Sequence, residues 1–355
     1  MNDKIFSLQL IRIIGFMFVF VSHLKFLIPS DVFASIPIGR RGVELLLMLS
    51  GFLIGYKYFD IFQTNNKIKD SFLFVWAHLK KFYLPFLLTS VICIGLLYTD
   101  FHFYFQNKFN LIRYFTLTHP WSGASITTFI FNPVAWFLGV LLFCYFLAPK
   151  TLALIGKIKT PRGLLTTAIL IMLLKIIAEY VLITHYKIED ETYFFYLFPP
   201  YRFLEFFIGL CLGTLFLKHS KVFYNQYLDV FQIFAILIYF GIILSTTWIR
   251  AVYTPLTALL IFFFAYHQTD FIRLIKNKVL LFFAELNLYF YLIHWWVIMF
   301  IRKRHYINKL DFDASTIATE CVVAFVASVI FSIVIRKICS IIYFMVNKFL
   351  KRRYL

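Results

Sequence analysis

IFSLQLIRIIGFMFVFVSHLKFLI, residues 5–28, is a helix-length apolar run that carries Arg12 and His23 where lipid tolerates neither. A bilayer-spanning helix needs about 20 predominantly apolar residues, and this stretch supplies them. At about 100° and 1.5 Å per residue, Arg12 and His23 leave nearly the same helix face, roughly 16 Å apart along the axis. Ionisable groups inside a span are expensive, so such a pair reads as a functional site facing a protein-lined cavity. A short charged start ahead of an apolar stretch is also the outline of a signal peptide. This run is too long for an h-region, however, and no small-residue cleavage site follows, so a permanent helix is expected.

The same pattern recurs along all 355 residues. Hydrophobic residues are 61% of the chain, charged residues 15%, and the mean hydropathy is +0.81. Soluble domains sit near half apolar and a quarter charged, so the composition points to a membrane protein. Ten spans are expected, at 5–28, 42–62, 81–98, 133–149, 163–184, 202–217, 231–248, 252–267, 279–301 and 316–336. The fold class is therefore all-α, a polytopic integral membrane protein of about ten transmembrane helices embedded in the lipid bilayer. A single transmembrane domain covers 1–336, and a basic tail covers 337–355.

The net charge of +18 does not point to nucleic acid, because the basic residues lie between apolar spans rather than along one face. They report orientation instead. With the N-terminus inside, most lysines and arginines fall in cytoplasmic segments, and an even number of spans leaves both termini there. The tail, ending KFLKRRYL, alternates apolar and cationic residues and is expected to lie as a helix on the anionic inner leaflet. Cys93, Cys144, Cys211, Cys321 and Cys339 show no CxxC pair and no metal-ligand spacing, so neither a disulfide framework nor a metal site is expected.

Depth turns scattered polar residues into a constellation. His23 lies late in an outward-running helix. Glu44 lies just inside the second span, Trp136 opens the fourth, Arg202 and Glu205 open the sixth, and His294 comes late in the ninth. All belong to the outer half of the bilayer, with Arg12 deeper. Taken singly, Arg202 and Trp136 fit ordinary interfacial anchors, and Glu205 fits a neutraliser of Arg202 one turn back. Glu44, beside a glycine-containing turn, is suited to orienting an imidazole, since a carboxylate that accepts a ring N–H fixes the tautomer. Ser50, with Gly51 and Gly55, fits close helix packing.

Together these residues resemble the membrane acyltransferase 3 family, integral-membrane enzymes that O-acylate bacterial surface and exported sugars. The carriers of the resemblance are Arg12 and His23 with ten residues between them, Gly42-Val43-Glu44, Ser50-Gly51-Phe52, Trp136-Phe137-Leu138, Arg202 with Gly209, and Tyr291-Leu292-Ile293-His294. Two departures are visible. Lys80-Lys81-Phe82-Tyr83-Leu84-Pro85 stands where relatives have arginines before a proline. Gly139-Val140-Leu141-Leu142 stands where many relatives carry a glutamate. No hydrolase-like domain follows the tenth span, so any second transfer step is expected to need another protein.

The resemblance implies transfer of an acyl group, acetyl from acetyl-CoA foremost, to a hydroxyl of a cell-surface or exported polysaccharide or its lipid-linked precursor. It places the protein in the bacterial inner membrane, with acyl-CoA as donor substrate and no permanently bound cofactor. His23, Glu44, Arg202 and His294 are the expected catalytic group. Arg12, Ser50 and Tyr291 are expected on the donor side, and Trp136, Glu205 and Trp121 on the acceptor side. Acyl transfer to an alcohol needs a base for the hydroxyl proton and a donor for the oxyanion. The expected roles are His23 as base, Glu44 as its orienter, and Arg202 or His294 at the oxyanion. The outer segment from Tyr98 to Asn132, with His102, Tyr104, Arg113, His119 and Trp121, fits either a sugar-contacting surface or an interfacial cap. A polytopic transporter or a non-catalytic scaffold of polysaccharide export is the rival reading, and partners of both kinds, a second copy or a polysaccharide-assembly protein, stay open.

Overall fold

The computed structural model describes residues 6–28, 38–64, 67–97, 108–123, 129–186, 193–224, 226–244, 253–266, 269–308 and 314–353. Among these, every regular element is a helix. Each apolar run satisfies its backbone within itself, as hydrocarbon demands. In chain order the helices are α1 (Phe6–His23), α2 (Ile38–Phe62), α3 (Ile68–Leu97), the short α4 (Lys108–Phe115), α5 (Trp136–Ile155), α6 (Pro161–Thr184) and α7 (Pro199–Phe223). They continue with α8 (Leu228–Leu244), α9 (Tyr253–Phe264), the short α10 (Asp270–Ile275), α11 (Lys278–Asn308) and α12 (Ala314–Arg353).

Eight of the described stretches are long and apolar enough to cross a membrane, and two shorter apolar helices, Leu228–Ile242 and Tyr253–Phe264, stand at the seventh and eighth expected spans. Two boundaries differ from expectation. The third helix starts at Ile68 rather than near residue 81. Lys80 and Lys81 lie on its exposed side, with the Lys80 ammonium 5.0 Å from the Trp76 ring, so the charges sit on a continuing helix and do not end it. The basic tail likewise is no separate element: α12 runs unbroken from Ala314 to Arg353.

The core is centred on α2, buried from Gly39 to Phe59 along most of its surface. Glycine decides its neighbours. A Cβ on Gly51 or Gly55 would strike the backbone of Phe206 or Leu210 in α7, and one on Gly209 or Gly213 would strike that of Met48 or Phe52 in α2. Two GxxxG patterns therefore interlock, each helix presenting its small residues to the other's backbone. On the other side, Gly42 of α2 abuts the Gly15 carbonyl of α1, and Gly39 abuts Ser22. Nine residues separate Gly42 from Gly51, which at 100° each places them on opposite faces, so α2 is held between α1 and α7. The contacts Gly39–Ser22, Gly42–Phe18 and Leu46–Gly15 also set the antiparallel register of α1 on α2.

Candidate active site

His23 is the last residue of α1, where the chain tightens into a 3-10 turn over Leu24–Phe26. Its Nδ1 lies 2.8 Å from Nε2 of His294 in α11, and the two rings stack with centroids 5.0 Å apart and planes 19° from parallel. His294 is buried, and its Nδ1 lies 3.1 Å from the Phe290 carbonyl. A carbonyl only accepts, so His294 Nδ1 carries the proton and its Nε2 is an acceptor when the ring is neutral. His23 Nδ1–H then donates to that nitrogen, and the lone pair of the dyad is left on His23 Nε2. The Trp295 ring meets His23 edge-on at 5.0 Å. The neighbouring turn is pinned to the outer segment, because Asn132 Nδ2 donates to the Leu292 carbonyl at 2.8 Å and Tyr291 donates to the Val134 carbonyl at 2.8 Å.

Glu44 does not orient His23. In the α1–α2 register Glu44 stands opposite Met17, six residues from the end of α1, so it lies about 9 Å deeper along the axis. It also faces the α7 side of α2, where it belongs to a buried ionic network. Arg41 Nη1 lies 3.1 Å from Glu44 Oε2, and Lys175 Nζ lies 3.9 Å from the same oxygen. Lys175 Nζ is 2.8 Å from Glu205 Oε1 and donates to Thr254 Oγ1 at 2.9 Å, and Arg202 Nη1 is 2.6 Å from Glu205 Oε1. Tyr201 donates to Glu179, and the Arg41 guanidinium lies 3.5 Å over the Tyr253 ring. Arg41, Lys175 and Arg202 thus face Glu44, Glu179 and Glu205, three cations to three carboxylates, all buried. Charges so far from water persist when each is paired and hydrogen-bonded.

An aromatic platform lies between dyad and network. Trp136 is buried with its ring 4.7 Å from Tyr196, and Arg40 lies 5.6 Å over the same tyrosine. Tyr196 interacts electrostatically with Arg40 and Arg202 on one side and with Tyr291, one turn before His294, on the other. Arg202 Nε and Nη2 and Glu205 Oε2 are buried and make no hydrogen bond with any described residue.

Deeper lies a second polar group. Arg12 stands level with Leu49 and Ser50, donates to Gln9 at 3.1 Å, and interacts electrostatically with Tyr145 of α5. The His78 ring of α3 packs 4.5 Å from Tyr145. Ser50 donates to the Leu46 carbonyl of its own helix at 2.7 Å. Tyr291 is not with this group: its hydroxyl is held at Val134, at the level of the dyad.

In the outer segment, His102 and Tyr104 fall outside the described residues, and Arg113 is exposed. Trp121 is 44% exposed, with its ring edge-on to Phe143 and Phe198 at 5.1 and 5.9 Å. His119 is no surface ligand: it is fully buried with its ring 5.2 Å from Tyr114, and burial pushes its imidazole down to about 3.

Lys175, Glu179, Tyr196, His78 and Tyr145 join these polar groups, and the sequence reading missed them. Lys175 and Glu179 had a signal, an i, i+4 ionisable pair inside an apolar span. The tyrosines had none against so aromatic a background.

Fold and site together define a multi-pass membrane protein with a hydrogen-bonded imidazole pair and a buried, charge-paired polar network. A family model described as an acyltransferase domain, that of the acyltransferase 3 family, matches residues 5–337, and the chain belongs to this family. It is a membrane acyltransferase. No curated protein and no solved structure matches it.

Proposed function

We propose that the protein transfers an acyl group, acetyl from acetyl-CoA, to a hydroxyl of a cell-surface or exported polysaccharide or its lipid-linked precursor, in the bacterial inner membrane. The observation that carries the reading is the hydrogen-bonded chain from Phe290 through His294 to His23, which leaves a basic nitrogen on His23 Nε2. That atom takes the proton of the acceptor hydroxyl as its oxygen attacks the thioester carbonyl. The C–S bond then breaks, and the departing thiolate recovers the proton from His23. A positioned base of this kind contributes on the order of 10²–10⁴-fold.

His294 has both nitrogens committed, and Arg202 belongs to the network about 9 Å deeper than His23, so its two buried N–H groups not engaged with the protein are proposed to hold a substrate oxygen there rather than the oxyanion beside His23. Glu205 accepts from the acceptor sugar, and Trp136 with Tyr196 gives its ring a flat wall. Glu44 holds Arg41 and Lys175 in the network. Trp121 lies at the outer mouth. On the cytoplasmic side, Arg12 and Ser50 line the way in for the donor, whose pantetheine arm crosses roughly the half-bilayer between Arg12 and His23, about 15 Å. Tyr291, its hydroxyl already occupied, shapes the wall between the two.

The test is genetic. Deleting the gene and comparing surface-glycan acylation by mass spectrometry and NMR should show loss of O-acyl groups. Wild type should restore them and His23→Ala should not. Full restoration by His23→Ala would refute the assignment of the base.

A further inference from the structure

Helix α6 is an outlier among the spans. Its buried residues are only Leu164, Ala168, Lys175 and Glu179, a single stripe, while Leu170, Leu174, Ile177 and Tyr180 are all more than half exposed. A helix so placed needs apolar or small residues to dock, and lysine at this depth carries a cost that packing alone does not explain. Yet Lys175 reaches three other helices at once: Glu205 of α7, Glu44 of α2 and Thr254 of α9.

The geometry on Glu205 shows what this achieves. Lys175 Nζ and Arg202 Nη1 both grip the same oxygen, Oε1, at 2.8 and 2.6 Å, while Oε2 accepts no hydrogen bond from any described residue. Arg202 alone, on the same helix one turn away, leaves the carboxylate free to rotate between monodentate and forked pairing. A second cation arriving from α6, itself fixed by Thr254, removes that freedom. We infer that Lys175 is a positioning residue for the acceptor site: by clamping Oε1 of Glu205 it holds Oε2 out as the acceptor for a substrate hydroxyl. This rests on the acyltransferase reading above. It concerns a residue that would otherwise be read as a pin between α6 and α7.

The other charged groups around the clamp do not substitute for it. Arg41 is spent on Glu44 and Tyr253, and Glu179 is paired with Tyr201. Arg202 already holds Glu205. Losing Lys175 therefore leaves Glu205 with one cation and Glu44 with one.

The experiment uses the full-length protein in membranes, acetyl-CoA as donor, and the host's own surface glycan, stripped of its acyl groups by mild base, as acceptor. Lys175→Met should raise the glycan concentration for half-maximal rate about tenfold, the size expected for a lost charged hydrogen bond, and leave the half-saturating acetyl-CoA concentration unchanged. Lys175→Arg should recover to within about threefold, since the charge returns without the same reach to Thr254. A pin would instead lower the amount of folded protein and leave both half-saturation values alone, and that result overturns the inference. If Lys175→Met does not accumulate, Thr254→Val decides: it removes the hydroxyl that Lys175 and Glu44 share while keeping every charge, and an unchanged half-saturation for glycan overturns the inference. If wild type neither binds nor acylates the glycan, the functional reading falls and takes this one with it. If wild type acylates and the variants match it, Lys175 alone is refuted.

Discussion

His294→Leu is the substitution that isolates the dyad. Leucine fills much of the buried space but removes the nitrogen 2.8 Å from His23 Nδ1, so His23 keeps its place on α1 and loses its partner. In the resting enzyme the loss is one neutral hydrogen bond. During transfer His23 becomes a cation, and the bond it donates is then charge-assisted, worth about 1.5–3 kcal/mol. Only the part gained as charge develops, about 1–1.5 kcal/mol beyond the neutral bond, is lost from the transition state, and at 1.36 kcal/mol per decade the rate should fall about 5- to 13-fold. His294→Gln retains an amide oxygen able to accept near the same point and should keep most of the activity. The assay is transfer of labelled acetyl from acetyl-CoA into deacylated surface glycan by membranes with matched protein content. His294→Leu within about threefold of wild type, alongside an inactive His23→Ala, would refute the argument that the imidazole pair acts as a unit.

The glycine interlock between α2 and α7 predicts that Gly51→Ala and Gly209→Ala each destabilise the folded protein by about 1–3 kcal/mol, because the new methyl meets backbone that cannot yield. Gly95→Ala, with nothing within 4 Å of its Cβ, should be neutral or slightly stabilising, and thermal unfolding in detergent compares the three. His119 predicts acid sensitivity in the outer segment. Its folded pKa of about 3 lies below the unfolded value near 6.5, so the unfolded state binds the extra proton and stability is lost as pH falls through that window, by about 2 kcal/mol at pH 5. Hydrogen exchange across residues 108–123 should show the opening at pH 5, and His119→Phe should remove its pH dependence.

Much of the fold was legible because hydrocarbon imposes one rule on every span. Arg12, His23 and His294 were legible for the same reason: a charge or imidazole in an apolar run stands out. Where the reading failed, the cause was pairing across helices that are distant in sequence. Glu44 was placed at the depth of His23 from span ends alone. The register that separates them comes from Gly39, Gly42 and Gly15, whose contacts no hydropathy window records. The start of α3 was put too late because Lys80 and Lys81 depress local hydropathy, although their long stems travel along the helix. Lys175 was in plain view inside the fifth span and went unread. Its partners, Glu44, Glu205 and Thr254, lie 131, 30 and 79 residues away in the chain. Only the assembled bundle shows that a lysine on a lipid-facing helix is the meeting point of four helices.

The division between dyad and network has a chemical reason. A carboxylate touching His23 would make the imidazole more basic, but in low-dielectric surroundings it would also bring an unpaired negative charge to the proposed reaction centre in the resting state. Here each carboxylate of the buried network, Glu44, Glu179 and Glu205, is already held by a cation or a phenol. The base is instead supported by a neutral ring, His294, itself anchored on a backbone carbonyl. In the proposed reaction charge would then appear at the dyad only during transfer, as an imidazolium on one side of the new bond and an oxyanion on the other.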